Sequence, residues 1–320
     1  MIKLQKVTMA ISILFFLTLR VEAAKYAYVT AEDGKTDYNF TKSQYRGWYT
    51  EPRCANQKFS VGYKQAERKS DNPKMVATIK RTDEEHYNGK SALEIQVIAN
   101  NPKIRNSTAA YKVCFDVSPG NTIIIDKPKD WYLGFAMKID AENYTLPQGA
   151  WQPLLFQQWW QGSPYPPPVS LQILNQRDSE KYGWKDANPD GNFALVLRDV
   201  EHDISSTQNK VRSQTHNLGP VKIGHWLEWV ICVRPDPSGK DGSVTVWKNG
   251  EQKICLRKIV VGFNQDNQLG KTIGIKTLWV NFGIYRANGE NNQRFYFDEI
   301  TLSDKLSEAT ATLRNIYTTK

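Results

Sequence analysis

The sequence predicts an all-β fold, an antiparallel sandwich of two sheets, on three observations. Apolar residues recur at every second position through most of the chain, and clusters of Gly, Pro, Asn and Asp separate these runs. No helical pattern of comparable length competes with them. The third observation is size: the 320 residues leave room for one large sandwich, a class that runs to roughly 200 to 250 residues as a single unit. With 10 Trp, 15 Tyr and 12 Phe the chain has ample aromatic material for such a core.

The first element is not part of the fold. Lys3 and Lys6 precede an apolar stretch from Val7 to Leu19, and small residues follow at Ala23 and Ala24. That pattern reads as a secretory signal peptide over residues 1–24, too short in its apolar run for a membrane span. Residues 25–320 are then expected to form one domain. Strands follow in order. Leu93, Ile95 and Val97 alternate with Glu94 and Gln96, and Leu133, Phe135, Met137 and Ile139 make a second apolar face. Val169, Leu171 and Ile173 make a third, and Phe193, Leu195 and Leu197 a fourth. Trp226 to Val233 is apolar on both faces except for Glu228, as expected of a strand covered from both sides. Asn249-Gly250 between two alternating runs has the form of a type I′ hairpin. Phe295 to Leu302 is the last strong strand, the tail from Leu306 to Ile316 the one helical candidate, and Arg198 to Pro220 reads as a polar loop.

Composition narrows the function. Lys and Arg total 42 against 33 acids, a formal charge of +9; removing the leader lowers the excess by two. The cations are dispersed rather than clustered, which argues against nucleic acid, and a mean hydropathy of -0.56 argues against several membrane spans. Four cysteines, Cys54, Cys114, Cys232 and Cys255, read as one or two disulfides in an oxidising compartment, with Cys54–Cys114 and Cys232–Cys255 favoured among three pairings. Asn39, Asn106 and Asn143 open N-glycosylation sequons, meaningful in a eukaryotic source and chance matches in a bacterial one. Zinc hydrolase, P-loop and GxSxG motifs are missing, and His86, His202, His216 and His225 have no metal-ligand spacing.

The second half carries a resemblance. His225-Trp226-Leu227-Glu228-Trp229-Val230, the segment Asp241 to Glu251, Phe282-Gly283-Ile284-Tyr285-Arg286, and Phe295-Tyr296-Phe297-Asp298-Glu299-Ile300 resemble the heparin lyase and glucuronan lyase group of polysaccharide lyases. The similarity spreads over roughly residues 90 to 303. It implies a β-jelly-roll with a concave groove and β-elimination from a uronic acid: a base removes the C5 proton, the carboxylate charge is neutralised, and an acid protonates the oxygen leaving C4. Alternation puts Val280, Phe282 and Ile284 inside and Asn281, Gly283 and Tyr285 on the opposite face. Tyr285 is thereby the expected base and acid, with Arg286 beside it for substrate.

Gln157 or Gln158, Arg105 and Asn281 would surround the carboxylate, and Trp159 or Trp160 would stack on sugar rings. If Phe156 is core, Gln157 and Trp159 face the groove; a shift of one residue selects Gln158 and Trp160. Two departures stand out. Related lyases place a histidine two residues after the glutamine, where neither register supplies one, and a lysine where Asn281 stands. A polar-loop histidine, His202 or His216, could take the missing place only if it came within reach of Tyr285.

The expected function is a secreted, extracellular polysaccharide lyase acting on an acidic, uronate-containing polysaccharide. The alternative is an inactive, lyase-derived carbohydrate-binding or extracellular-matrix protein. No cofactor is expected, though a structural calcium is possible on family grounds; the partner is the acidic polysaccharide, with no nucleic acid or membrane, and the chain is expected to be a monomer.

Overall fold

Strict alternation forces a strand to present one apolar and one polar face, so two such sheets bury their apolar faces against each other. A computed structural model of the chain describes residues 27–29, 76–98, 111–116, 123–146, 154–161, 166–201, 210–263, 277–286 and 293–318. In chain order the elements are β1 (Ala27–Val29), β2 (Val76–Thr82), β3 (Ala92–Ile98), β4 (Tyr111–Asp116), β5 (Ile123–Ile124), β6 (Trp131–Tyr144) and β7 (Leu154–Trp160). Then come β8 (Val169–Leu174), the short helix α1 (Gln176–Lys181), β9 (Asn192–Glu201), β10 (Lys210–Pro220) and β11 (Trp226–Arg234). The chain closes with β12 (Ser243–Lys248), β13 (Glu251–Arg257), β14 (Thr277–Arg286), β15 (Gln293–Ser303) and α2 (Leu306–Ala309).

The strands form two antiparallel sheets, a jelly-roll sandwich. One runs β13-β12-β11-β6-β15-β3-β2, with β1 added to β15; the other runs β10-β9-β8-β7-β14-β4, with β5 added to β14. Aromatic rings join the two sheets. Phe135 of β6 meets Phe282 of β14 edge to face at 4.9 Å, and Trp229 of β11 meets Phe193 of β9 at 5.0 Å. One apolar cluster runs through both inner faces, from Leu93 and Ile95 through Leu171 and Leu195 to Ile284 and Phe297.

The predicted strands are present, and Asn249 and Gly250 take positive φ values of 51° and 80°, as a type I′ turn requires. Two expectations change. Arg198 to Pro220 is largely strand: β9 continues to Glu201, and β10 pairs back along it. The tail is helical only over Leu306–Ala309. Beyond that short helix the tail lies across the outer face of the eight-stranded sheet, where Leu313 and Tyr317 pack with Tyr87, Ala136, Val230 and Trp247. This explains why β11 is apolar on both faces: its inner face meets the core and its outer face meets the tail.

Candidate functional site

The outward face of the seven-stranded sheet is built by β14, β7, β8 and β9. On β14, Val280, Phe282 and Ile284 are fully buried in the core, as alternation requires. Asn281 lies on the other face, opposite Gln158 of β7, which in turn stands opposite Ser170 of β8. Ser170 is opposite Val196 of β9. A second row across the strands runs through Tyr285, Leu155, Gln172 and Ala194. Tyr285 also pairs with Lys112 of β4 in backbone register. The side chains of Tyr285 and Arg286 lie outside the described residues.

A β-bulge in β7 decides which glutamine faces outward. Leu155 pairs with Gln172 and Gln157 with Leu171, so Phe156 is an extra residue between them. At such a bulge two consecutive side chains fall on one face. Phe156 is buried in the core against Phe193 and Trp229. Gln157 stands opposite two core residues, Leu171 and Phe282, and is 1% exposed. The outcome is that of the one-residue shift, with Gln158 and Trp160 on the outward face, although Phe156 stays in the core, because the bulge turns both Phe156 and Gln157 inward. Gln157, expected near the carboxylate, is directed inward with its amide N and O unpaired among the described residues. Trp159, expected to touch sugar, is fully buried in the core.

Several outward residues form a polar network. Gln172 donates to the Ser170 hydroxyl at 2.7 Å, and Arg198 donates to the same oxygen at 3.2 Å and to the Pro167 carbonyl at 3.3 Å. Trp160 meets Trp279 edge to face at 5.9 Å at one end of this surface. Asn281 is 1% exposed, and neither atom of its amide has a hydrogen-bond partner among the described residues. An unpaired buried amide costs about 1–3 kcal/mol. Ser170, Gln172 and Arg198 were not singled out from the sequence, although the alternation Val169-Ser170-Leu171-Gln172-Ile173 already placed two of them outward.

Other expected groups are elsewhere. Cys232 and Cys255 are free thiols. Each stands opposite Thr245 from its own side, so β12 lies between them. Two strand spacings, about 9.5 Å, exceed the reach of a disulfide, which overturns the favoured Cys232–Cys255 pairing. His216 lies opposite Leu195, an inward position of β9, on a strand four places from β14. That separation is about 19 Å, too far to serve Tyr285. Arg105, His202, Cys54, Asn39 and Asn106 fall outside the described residues, as does the Cys114 side chain. The Asn143 amide donates to Asp140 at 3.1 Å. Asp298 accepts the backbone N–H groups of Tyr87, Asn88 and Glu299.

The outward face of the seven-stranded sheet thus brings together the amides of Asn281, Gln158 and Gln172, the Ser170 hydroxyl and the Arg198 guanidinium. The polysaccharide lyase family model matches residues 56–301, and the chain belongs to that family. Among solved structures it is similar to an endo-β-1,4-glucuronan lyase from the fungus Trichoderma reesei, with TM-score 0.50 and 12% identity over 73% of this chain and 89% of that one. It is also similar to alginate lyase AlyC3, with TM-score 0.43 and 12% identity over 66% of this chain and 74% of that one. A third is the marine alginate lyase AlyA1 from Zobellia galactanivorans, with TM-score 0.40 and 10% identity over 70% and 79%. At 12% identity the likeness to the glucuronan lyase concerns the fold alone. No curated protein matches the sequence.

Proposed function

We propose that the chain is a secreted lyase that cleaves a uronate-containing polysaccharide by β-elimination on the outward face of β14, β7 and β8. The observation that carries this reading is the buried Asn281 amide, unpaired among the described residues, on the strand of Tyr285 and in line with Gln158. In the proposed reaction the Tyr285 phenolate takes the C5 proton of the uronate. The C5 electron pair moves to form the C4–C5 double bond, the C4–O bond breaks, and the same phenol returns its proton to the leaving oxygen. Abstraction at C5 is hard because negative charge spreads into the carboxylate. The Asn281 and Gln158 N–H groups would donate to it as that charge grows, in a site where low water content strengthens each dipole.

Arg198 stands on β9, three strands from β14. At about 14 Å it would serve a neighbouring sugar's carboxylate rather than the reacting one. The net positive charge suits a polyanionic substrate by steering. The test is ultraviolet absorbance of the unsaturated uronate product with glucuronan, alginate, heparan sulfate and chondroitin. Product from at least one of these, reduced strongly by Asn281→Ala, supports the reading. Binding of an acidic glycan without product from any of them would make the protein a glycan-binding relative of the lyases.

A further inference from the structure

On the opposite sheet, away from the face just described, an open cavity of about 460 Å³ is lined by residues of β6, β11, β12 and β13 and of the turn between β11 and β12. Two cross-strand rows define its floor. Cys232, Thr245 and Cys255 stand in one row, and Arg234, Ser243 and Arg257 in the next. Tyr132 flanks the first row beside Cys232, and Trp247 lines the cavity beyond Thr245. Lys240 and Lys258 complete a lining with four cations and two carboxylates, Asp130 and Asp241.

The charges are unevenly satisfied. Arg234 is held by Asp130 through two bonds of 2.8 and 3.0 Å. Arg257, Lys240 and Lys258 have no ion-pair partner among the described residues. The backbones of Arg234 and Arg257 stand on either side of Ser243, about 9.5 Å apart across two strand spacings, with one guanidinium fixed by Asp130 and the other unengaged. Such an arrangement suits an oxyanion bridging the two, since arginine forks match carboxylate and sulfate geometry. Besides the thiols of Cys232 and Cys255, the rest of the lining is hydroxyl, amide and aromatic: Ser243, Thr245, Gln252, Tyr132 and Trp247. The volume falls within the range of about 300–1,000 Å³ typical of small-ligand sites.

We propose that this cavity is a second binding site, remote from the cleavage face, for an anionic sugar unit whose carboxylate or sulfate lies between Arg234 and Arg257. It rests in part on the reading of the chain as an acidic-glycan protein, and it would let one molecule hold a polysaccharide on one sheet while working on it with the other. The two cysteines supply a reporter. Cys255 is exposed, whereas Cys232 is buried and its thiol is pushed up to about 12, chiefly by desolvation, so Cys255 is the reactive member.

The experiment follows iodoacetamide modification of Cys255 in the full chain by peptide mass spectrometry. It is run alone and with oligoglucuronate, a heparin oligosaccharide, inorganic sulfate or neutral cellotriose. Tyr285→Phe protein serves throughout, so that no probe is consumed. At ten times the dissociation constant, mass action gives about a tenfold slowing. The expected result is slowing by at least one acidic oligosaccharide and none by cellotriose, with protection lost in Arg257→Ala. Unchanged labelling with both acidic oligosaccharides overturns the proposal, as does protection that survives Arg257→Ala. Equal protection by sulfate alone at the same concentration overturns the sugar assignment. Because the readout needs no turnover, its failure is distinguishable from failure of the lyase reading, which the product absorbance tests separately.

Discussion

Gln157 and Gln158 are chemically identical neighbours with opposite fates. One amide is sealed among Leu171 and Phe282, and the other joins Asn281 and Ser170 on the outward face. Gln158→Leu is expected to lower kcat/KM by about 10² to 10³, the usual loss when a donor to a developing oxyanion is removed. Gln157→Leu is expected to leave activity within about threefold and to hold or raise stability by about 1 kcal/mol, because it removes a buried amide unpaired among the described residues. Steady-state kinetics and denaturant melts of the two variants check this, and reversed effects would refute the assignment. Alternation alone was sufficient to place Asn281 outward and Phe282 inward. It could not choose between the glutamines, because a bulge inserts a residue without leaving a turn signal in Leu154-Leu155-Phe156-Gln157-Gln158. The same bulge decides between Trp159, which is core, and Trp160.

That bulge also shapes the strand pair. With Phe156 and Gln157 both inward, β7 has no outward residue between Leu155 and Gln158, whereas β14 keeps Gly283 between Asn281 and Tyr285. Gly283 has φ 152°, a conformation L side chains rarely adopt. Position 283 thus carries no side chain between Asn281 and Tyr285. Gly283→Val is expected to destabilise by about 1 kcal/mol or more through backbone strain. It should also raise KM, since the isopropyl group would stand between Asn281 and Tyr285; a melt and a substrate titration measure the two effects. The strands themselves were legible wherever apolar residues alternate. β10 was not, because it lies at the sheet edge and its outer residues Arg212, Ser213 and Gln214 are exposed, leaving few apolar positions to reveal the period.

Across the whole molecule, one carboxylate gathers several of the contacts that fasten the C-terminal tail to the outer face of the eight-stranded sheet. Glu228 accepts the hydroxyls of Tyr87 and Tyr317 and the backbone N–H groups of Arg314 and Asn315. Burial alone would raise its pKa, but these donors outweigh it and hold the carboxyl below its ordinary value of 4.5. A depressed carboxylate adds stability that is fully present above the unfolded value and lost as pH falls through the folded one. Glu228→Gln should therefore cost about 2 kcal/mol near neutral pH, with the gap from the parent closing as the solution is acidified below the ordinary carboxylate range. Thermal melts across pH measure this, and a gap that widened in acid would contradict it. Sequence pattern revealed the doubly apolar strand bearing Glu228 but not its cover, because the contacts between Tyr87 and the tail join residues more than two hundred positions apart. The central claim remains chemical. The most direct test is product absorbance from the purified chain on glucuronan, alginate, heparan sulfate and chondroitin, beside Tyr285→Phe: unsaturated uronate from the parent and at least a hundredfold less from the variant is the predicted result. Acidic-glycan binding without product, or full activity in Tyr285→Phe, would contradict it.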